Sequence, residues 1–211
     1  MLVLSITGAS DTGKTRLITS LIKELTKRGY RVGCIKHCPE GFELDHPGKD
    51  SHRFRKEGAW GVVVYSPGQI GVIKTTDEQV QPGDLAIDHL SGCDFVLAEG
   101  FKNAKKIRKF ELLRKGIDEE PKTEDAVAII SDFELNTDKP VLHPDEPGRI
   151  IDFLEILTKE ENGVVRLQIN DKNIPLNPFL KTTLKNTILG LVSSLKKKEG
   201  VTKRIDIKLE V

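Results

Sequence analysis

The segment Gly8-Ala9-Ser10-Asp11-Thr12-Gly13-Lys14-Thr15 constrains this chain more than any other, because it satisfies G-x-x-x-x-G-K-[ST] between an apolar run and an amphipathic helix. Leu2 to Thr7 forms the apolar run and reads as a buried strand. After the loop, Leu17, Ile18, Leu21, Ile22 and Leu25 recur at the helical period between Thr15 and Arg28, and Gly29 closes the helix. Glycines let such a loop curl so that its N–H groups and the helix N-terminus face an anion. Lys14 then reaches the β and γ phosphates of a nucleotide, and the Thr15 hydroxyl can ligate Mg2+. The alternative is a Gly-rich turn that binds nothing, and the flanking strand and helix argue against it.

A second strand is expected at Arg31 to Lys36, giving a strand, helix and strand that form a parallel pair with a right-handed crossover. His37 to Lys49 is a Pro/Gly-punctuated loop. Asp50 to Lys56 reads as a helix, and Gly61 to Ser66 with Gly71 to Thr75 as a hairpin turned at Pro67-Gly68. Phe95 to Ala98 and Ala126 to Ile130 are short, nearly unbroken apolar runs of the kind buried on both faces of a sheet. Helical spacing resumes at Pro147 to Lys159. The expected fold is therefore α/β, a P-loop NTPase-type, mostly parallel sheet with flanking helices over residues 1–162.

Asn162-Gly163 marks a boundary to a small α+β extension, residues 163–211. It reads as a strand at Val164 to Ile169, a turn at Asn170 to Asn173, a helix from Pro178 with Phe179, Leu180, Leu184, Ile188, Leu191, Val192 and Leu195 on one side, and a last strand at Ile205 to Val211. About 49 residues cannot readily hold a core of their own, so the extension is expected to dock on the main domain or on a second copy.

A triphosphate site needs carboxylates for its metal, placed where ligands collect at the carboxyl edge of a parallel sheet. Glu99 ends the Phe95 to Ala98 strand and precedes Gly100, which makes it the strongest metal candidate, with a plain strand-end surface carboxylate as the alternative. Asp94 lies at the wrong end of that strand and reads as a cap. Asp50 either caps its helix or completes the Mg2+ shell. Lys36 and Arg53 either hold phosphate or are solvated. Cys34, His37 and Cys38 lie close together but lack a second ligand pair at zinc spacing, and Cys34 is expected to point into the sheet. No serine or cysteine sits on a nucleophile turn.

The net charge of +1 conceals an asymmetry: residues 163–211 hold 10 Lys+Arg against 4 Asp+Glu, or +6, leaving −5 for the rest. A basic tail can signal nucleic acid. Here Phe179 is its only aromatic, the stacking platform is missing, and a nucleic-acid partner is not expected. The chain is too broken by charge for a membrane span. Three cysteines are too few for a disulfide framework, and the opening residues carry no basic stretch before their apolar run, so a reducing cytoplasm is expected.

The phosphate loop, Ile35-Lys36-His37 leading to Asp45-His46-Pro47-Gly48-Lys49-Asp50-Ser51, the helix ending in Glu57-Gly58-Ala59, and the block from Asp94 through Glu99-Gly100-Phe101-Lys102 together resemble the molybdopterin-guanine dinucleotide biosynthesis protein B family, MobB. The similarity spans roughly Met1 to Leu157. It implies a P-loop GTP-binding protein, usually a homodimer, that assists the guanylyltransferase MobA as GMP is joined to molybdopterin, with at most slow GTPase activity. Molybdopterin itself is a further candidate ligand.

The placing of Lys36, Asp50 and Glu99 also resembles dethiobiotin synthetase, which implies a phosphate contact for Lys36 and Mg2+ ligation by the two carboxylates with Thr15. The nucleotide-binding set is then Gly8, Ser10, Asp11, Thr12, Gly13, Lys14, Thr15, Arg16 and Lys36, and the metal set Thr15, Asp50 and Glu99. A small-molecule kinase or ligase of that type, and a non-catalytic scaffold, are the competing readings. The chain departs from the MobB pattern at Cys38-Pro39, where relatives often carry a second histidine, and in residues 163–211, which run past the family's usual end. It holds no Asn-Lys-x-Asp motif, so a choice of GTP over ATP rests on the resemblance.

Overall fold

The computed structural model describes residues 1–76, 79–105, 107–160, 165, 167–169, 172–174, 176–193 and 205. The chain divides into two compact units, Met1–Ile156 and Leu157–Val211. In the first unit, β1 (Leu2–Thr7) leads into α1 (Lys14–Lys27) and β2 (Val32–Lys36), followed by α2 (Asp50–Lys56), β3 (Gly61–Ser66), β4 (Gln69–Lys74), α3 (Pro82–Leu90) and β5 (Phe95–Glu99). Then come β6 (Arg108–Leu113), β7 (Ala126–Ser131), β8 (Val141–Leu142) and α4 (Pro147–Glu160).

Six strands form one sheet in the order β2-β5-β1-β6-β7-β8, and every ladder in it is parallel. The fold is thus the α/β, P-loop type with flanking helices. All six residues of β1 are buried, as are Phe95 to Ala98 in β5. Strands apolar on both faces belong inside a parallel sheet, and β5 and β7 both lie there. One expectation is corrected: β2 and β1 run parallel but do not pair, because the doubly apolar β5 occupies the place between them. That leaves β2 on the sheet edge. Cys34 is accordingly exposed, not turned into the sheet, although partial desolvation still raises its thiol pKa above the ordinary value.

Helix α1 buries Leu17, Ile18, Leu21 and Leu25, and α4 buries Ile150, Ile151 and Leu154. Each such side chain contributes roughly 1.5–3 kcal/mol when fully withdrawn from water. Arg28, at the end of α1, ties the two helices together through Asp152 at 2.7 Å, Glu155 at 3.1 Å and the Gly148 carbonyl at 3.1 Å.

Two elements of this unit carry no clear sequence signal. Helix α3 is short and starts on Pro82, whose fixed φ suits the first helical turn. Strand β6, Arg-Lys-Phe-Glu-Leu-Leu, carries charges into the sheet interior: Lys109 and Glu111 are only 3% and 2% exposed. Both are compensated. The Lys109 ammonium meets Asp125 at 2.8 Å and the Lys102 carbonyl at 2.9 Å, while the Glu111 carboxylate accepts the N–H groups of Lys122 and Thr123. Burial of charge is tolerated only with such partners.

The β3–β4 hairpin turns at Pro67-Gly68 and forms a separate two-stranded sheet, with Gly68 at φ 88°. Its Val63↔Val72 and Tyr65↔Ile70 pairs share one face, and all four side chains are exposed. In the second unit, β9 (Leu167–Ile169) and β10 (Lys172–Ile174) pair antiparallel, and α5 (Pro178–Ser193) follows. The Asn177 side chain caps α5 by accepting the Leu180 N–H at 2.8 Å. On α5, Leu184, Ile188 and Val192 are half-buried while Phe179, Leu180 and Leu191 are exposed. The Asn162-Gly163 boundary, Leu195 and the strand expected at Ile205 to Val211 fall outside the described residues, apart from Ile205 itself.

Candidate phosphate-binding site

The loop after β1 is built around three backbone positions of positive φ, Gly8 at 139°, Asp11 at 62° and Gly13 at 95°. Gly8 cannot be replaced without movement, since a Cβ there would lie 2.4 Å from the Leu112 carbonyl oxygen of β6. The loop is pinned from within. Buried Thr12 donates its hydroxyl to the Ala9 carbonyl at 2.9 Å, and the Lys14 ammonium donates to the same oxygen at 2.5 Å. Helix α1 begins at Gly13 with no side-chain cap and no acidic residue in its first turn. Its first N–H groups and the positive end of its dipole are left for an anion. Ser10 and Asp11 are exposed on the loop, and Arg16 one residue past Thr15 pairs with Asp145 at 3.4 Å.

Sheet register delivers the carboxylate. Ile6 of β1 stands opposite Glu99 of β5, which stands opposite Lys36 of β2, so three sequence-distant residues reach the same level at the sheet's carboxyl edge. Thr15 Oγ1 donates to Glu99 Oε2 at 2.9 Å, and Lys36 Nζ lies 3.8 Å from Glu99 Oε1. The backbone around Glu99 is held on both sides. Its carbonyl accepts the His37 N–H at 3.1 Å, and the next residue, Gly100, donates its N–H to Ile6 at 3.0 Å and accepts the Ser5 hydroxyl. Gly100 adopts φ 89° with His37 packed where a Cβ would be, and the His37 and Phe101 rings sit 4.9 Å apart. The Glu-Gly-Phe block is therefore a mount for Glu99, a role that spacing alone did not disclose.

Asp50 is placed differently. It is the first residue of α2, its side chain is 83% exposed and pairs with Arg53 at 3.8 Å, and neither a hydrogen bond nor an ion pair joins it to Thr15 or Glu99. Nor does it cap α2, since Lys49 occupies the N-cap without a side-chain hydrogen bond. In the preceding loop, Asp45 accepts the Ser51 hydroxyl at 2.9 Å while its second carboxylate oxygen is buried without a partner.

Among the described residues no group of three or more His, Cys, Asp or Glu converges on a metal position. A hard cation does not require one: Mg2+ commonly takes one or two protein oxygens and completes its shell with water and phosphate. The convergence of a hydroxyl and a carboxylate beside an anion-binding loop fits that ion.

Residues 3–132 match the profile of the family described as Molybdopterin guanine dinucleotide synthesis protein B, MobB. The chain belongs to the MobB family. It is 33% identical to the molybdopterin-guanine dinucleotide biosynthesis adapter protein of Escherichia coli over 168 residues, covering 76% of this chain and 95% of that one. A solved MobB crystal structure superposes with a TM-score of 0.60 at 30% identity, covering 75% of this chain and 99% of that chain. Both relatives leave about a quarter of this chain uncovered. A Methanocaldococcus jannaschii protein, given the same adapter description provisionally, is 26% identical over 237 residues and covers all of this MobB chain and 97% of its own length. The extension is therefore part of what these two chains share. No helix among the described residues is long and apolar enough to cross a membrane.

Proposed function

We propose that this chain is a GTP- and Mg2+-binding adapter in molybdopterin guanine dinucleotide synthesis, working beside the guanylyltransferase MobA in the cytoplasm. The observation that carries the nucleotide reading is the meeting of Thr15, Glu99 and Lys36 at an uncapped helix N-terminus, in a MobB-family chain. In this reading the curled backbone at Gly8 to Gly13 and the start of α1 take the β-phosphate. Lys14 leaves the Ala9 carbonyl to neutralise the phosphates. Thr15 and Glu99 would hold Mg2+, with Asp50 as a further ligand if its loop closes over the site, and the ion when bound would neutralise charge between the β and γ phosphates. Lys36 orients Glu99 and offers a second cation to the terminal phosphate. Glu99 is already committed to Thr15 and Lys36, which argues against its acting as a base and favours slow hydrolysis at most.

A homodimer is part of the proposal. An isolated two-stranded hairpin is marginal in water, yet β3–β4 presents Val63, Tyr65, Ile70 and Val72 to solvent on one face. A second copy would cover that face by two-fold symmetry. The deciding experiment is titration of labelled GTP and ATP, with and without Mg2+, into the chain alone and with MobA and molybdopterin. Lys14→Ala should abolish binding without unfolding the chain. Unchanged affinity in that variant, with no stimulation of guanylyl transfer by the parent chain, would overturn the reading.

A further inference from the structure

Strand β1 is buried along its whole length, and Ser5 lies in the middle of it between Leu4 and Ile6. A hydroxyl placed there has no water to turn to and must find a partner inside the sheet. Its partner is the carbonyl of Gly100, 95 positions further along the chain. Two further hydrogen bonds to the same turn run between backbone groups, from Gly100 N–H to the Ile6 carbonyl at 3.0 Å and from His37 N–H to the Glu99 carbonyl at 3.1 Å. Ser5 adds a side chain to that frame.

The turn needs the support. The β1–β5 ladder ends at Ile6↔Glu99, so the Gly100 carbonyl lies past the last paired residue. The next two residues are both left-handed, Gly100 at φ 89° and Phe101 at φ 58°. Glycine adopts that conformation freely, whereas a bulky aromatic residue is strained in it and stays there only where its surroundings hold it. The Ser5 hydroxyl captures the carbonyl at this corner. Immediately before the corner stands Glu99, whose side chain is mostly buried between Thr15 at 2.9 Å and Lys36 at 3.8 Å. The strand that carries Ser5 is also the one that enters the phosphate loop at Gly8.

We propose that Ser5 is a positioning residue for Glu99. By clamping the peptide that follows the carboxylate to β1, its hydroxyl sets the reach of Glu99 toward Thr15 without touching a ligand itself. The binding part of this proposal rests on the nucleotide reading above. A purely structural role for Ser5 makes a different forecast: its loss would weaken the fold, and nucleotide binding with and without Mg2+ would suffer alike.

The test compares the full chain with Ser5→Ala, Glu99→Gln, the double variant and Lys14→Ala, each titrated with GTP in Mg2+ and in chelator. Ser5→Ala should lower Mg2+-dependent affinity by about tenfold and leave Mg2+-free binding within about twofold. Because Ser5 acts through Glu99, the double variant should bind no more weakly than Glu99→Gln alone. Ser5→Cys, close in size but a weak donor, should shift affinity in the same direction and replaces Ser5→Ala if that variant folds poorly. A crystal structure of the Ser5 variant without ligand should show Glu99 out of hydrogen-bond reach of Thr15. A retained Thr15–Glu99 contact, equal losses with and without Mg2+, or additive losses in the double variant would overturn the role of Ser5 and leave the nucleotide reading standing. Unchanged GTP binding in Lys14→Ala would overturn the nucleotide reading, and the ligand-free structure would then decide on Ser5 by itself.

Discussion

Thr15 Oγ1 donates a hydrogen bond to Glu99 Oε2 at 2.9 Å, joining residues 84 positions apart in the chain. The hydroxyl oxygen keeps its lone pairs while it donates that proton, so Thr15 can ligate Mg2+ without giving up Glu99, whose negative charge is what the ion would gain. The consequence is a sharp dependence on the ion. Glu99→Gln should lower Mg2+-dependent GTP affinity by about 10- to 100-fold and leave Mg2+-free binding nearly unchanged, measured as paired titrations with and without chelator. Asp50→Asn should behave the same way if its loop closes on the nucleotide, whereas an equal effect with and without the ion would remove Asp50 from the metal set.

Gly8→Ala introduces a Cβ 2.4 Å from the Leu112 carbonyl at a φ of 139°. Overpacking and backbone strain each cost about 1–3 kcal/mol. Thermal or urea unfolding should register a loss of that order, along with weakened nucleotide binding. Gly13→Ala meets nothing within 4 Å and carries only the penalty of its φ of 95°, so its stability loss should be about 1 kcal/mol.

Tyr30 donates its hydroxyl to Glu155 at 3.3 Å and packs edge-on against Phe95. Burial, and then the nearby Glu155 carboxylate, push its pKa above the ordinary phenol value. The unfolded chain therefore loses this proton first as pH rises past about 10, and the folded state, holding it longer, loses stability through that window. Below that window the contribution is present in full. Tyr30→Phe should cost about 1 kcal/mol at neutral pH and give a shallower fall in stability as pH rises above about 10, read by denaturant midpoints on either side of that pH.

On the hairpin, Val63→Lys with Ile70→Glu places opposite charges on the exposed face without burying either. If the proposed homodimer forms through this face, light scattering should show a dimer for the parent chain and a monomer for the variant, while GTP binding per chain stays within about twofold if the hairpin contributes nothing to the phosphate loop. A variant that kept the parent's mass would move the interface elsewhere, with the exposed Phe179, Leu180 and Leu191 of α5 next in line.

Much of the site is legible in the sequence because local rules govern it: the phosphate loop, the α1 stripe and the position of Glu99 at a strand end all follow from spacing and periodicity. What the sequence hides is what register creates. Nothing local says that Lys36 will stand opposite Glu99, because that depends on β5 sliding between β1 and β2. Strand β6 is obscured for another reason. Its Lys109 and Glu111 break the apolar run that marks a central strand, and the partners that neutralise them lie in loops before and after it. The expected Cys34 orientation fails on the same point, since edge or centre is a property of the assembled sheet.

The charges inside β6 carry a meaning for how this sheet comes together. A wholly apolar strand could slide by two residues against its neighbours and still bury grease against grease. Lys109 and Glu111 forbid that, because only one alignment brings the ammonium to Asp125 and the carboxylate to the Lys122 and Thr123 amides, and any other strands a buried charge at a cost of about 3–5 kcal/mol. The same strand carries the Leu112 carbonyl that lies against Gly8. Two charged side chains thus work as a combination lock on the register of the strand against which the phosphate loop is seated.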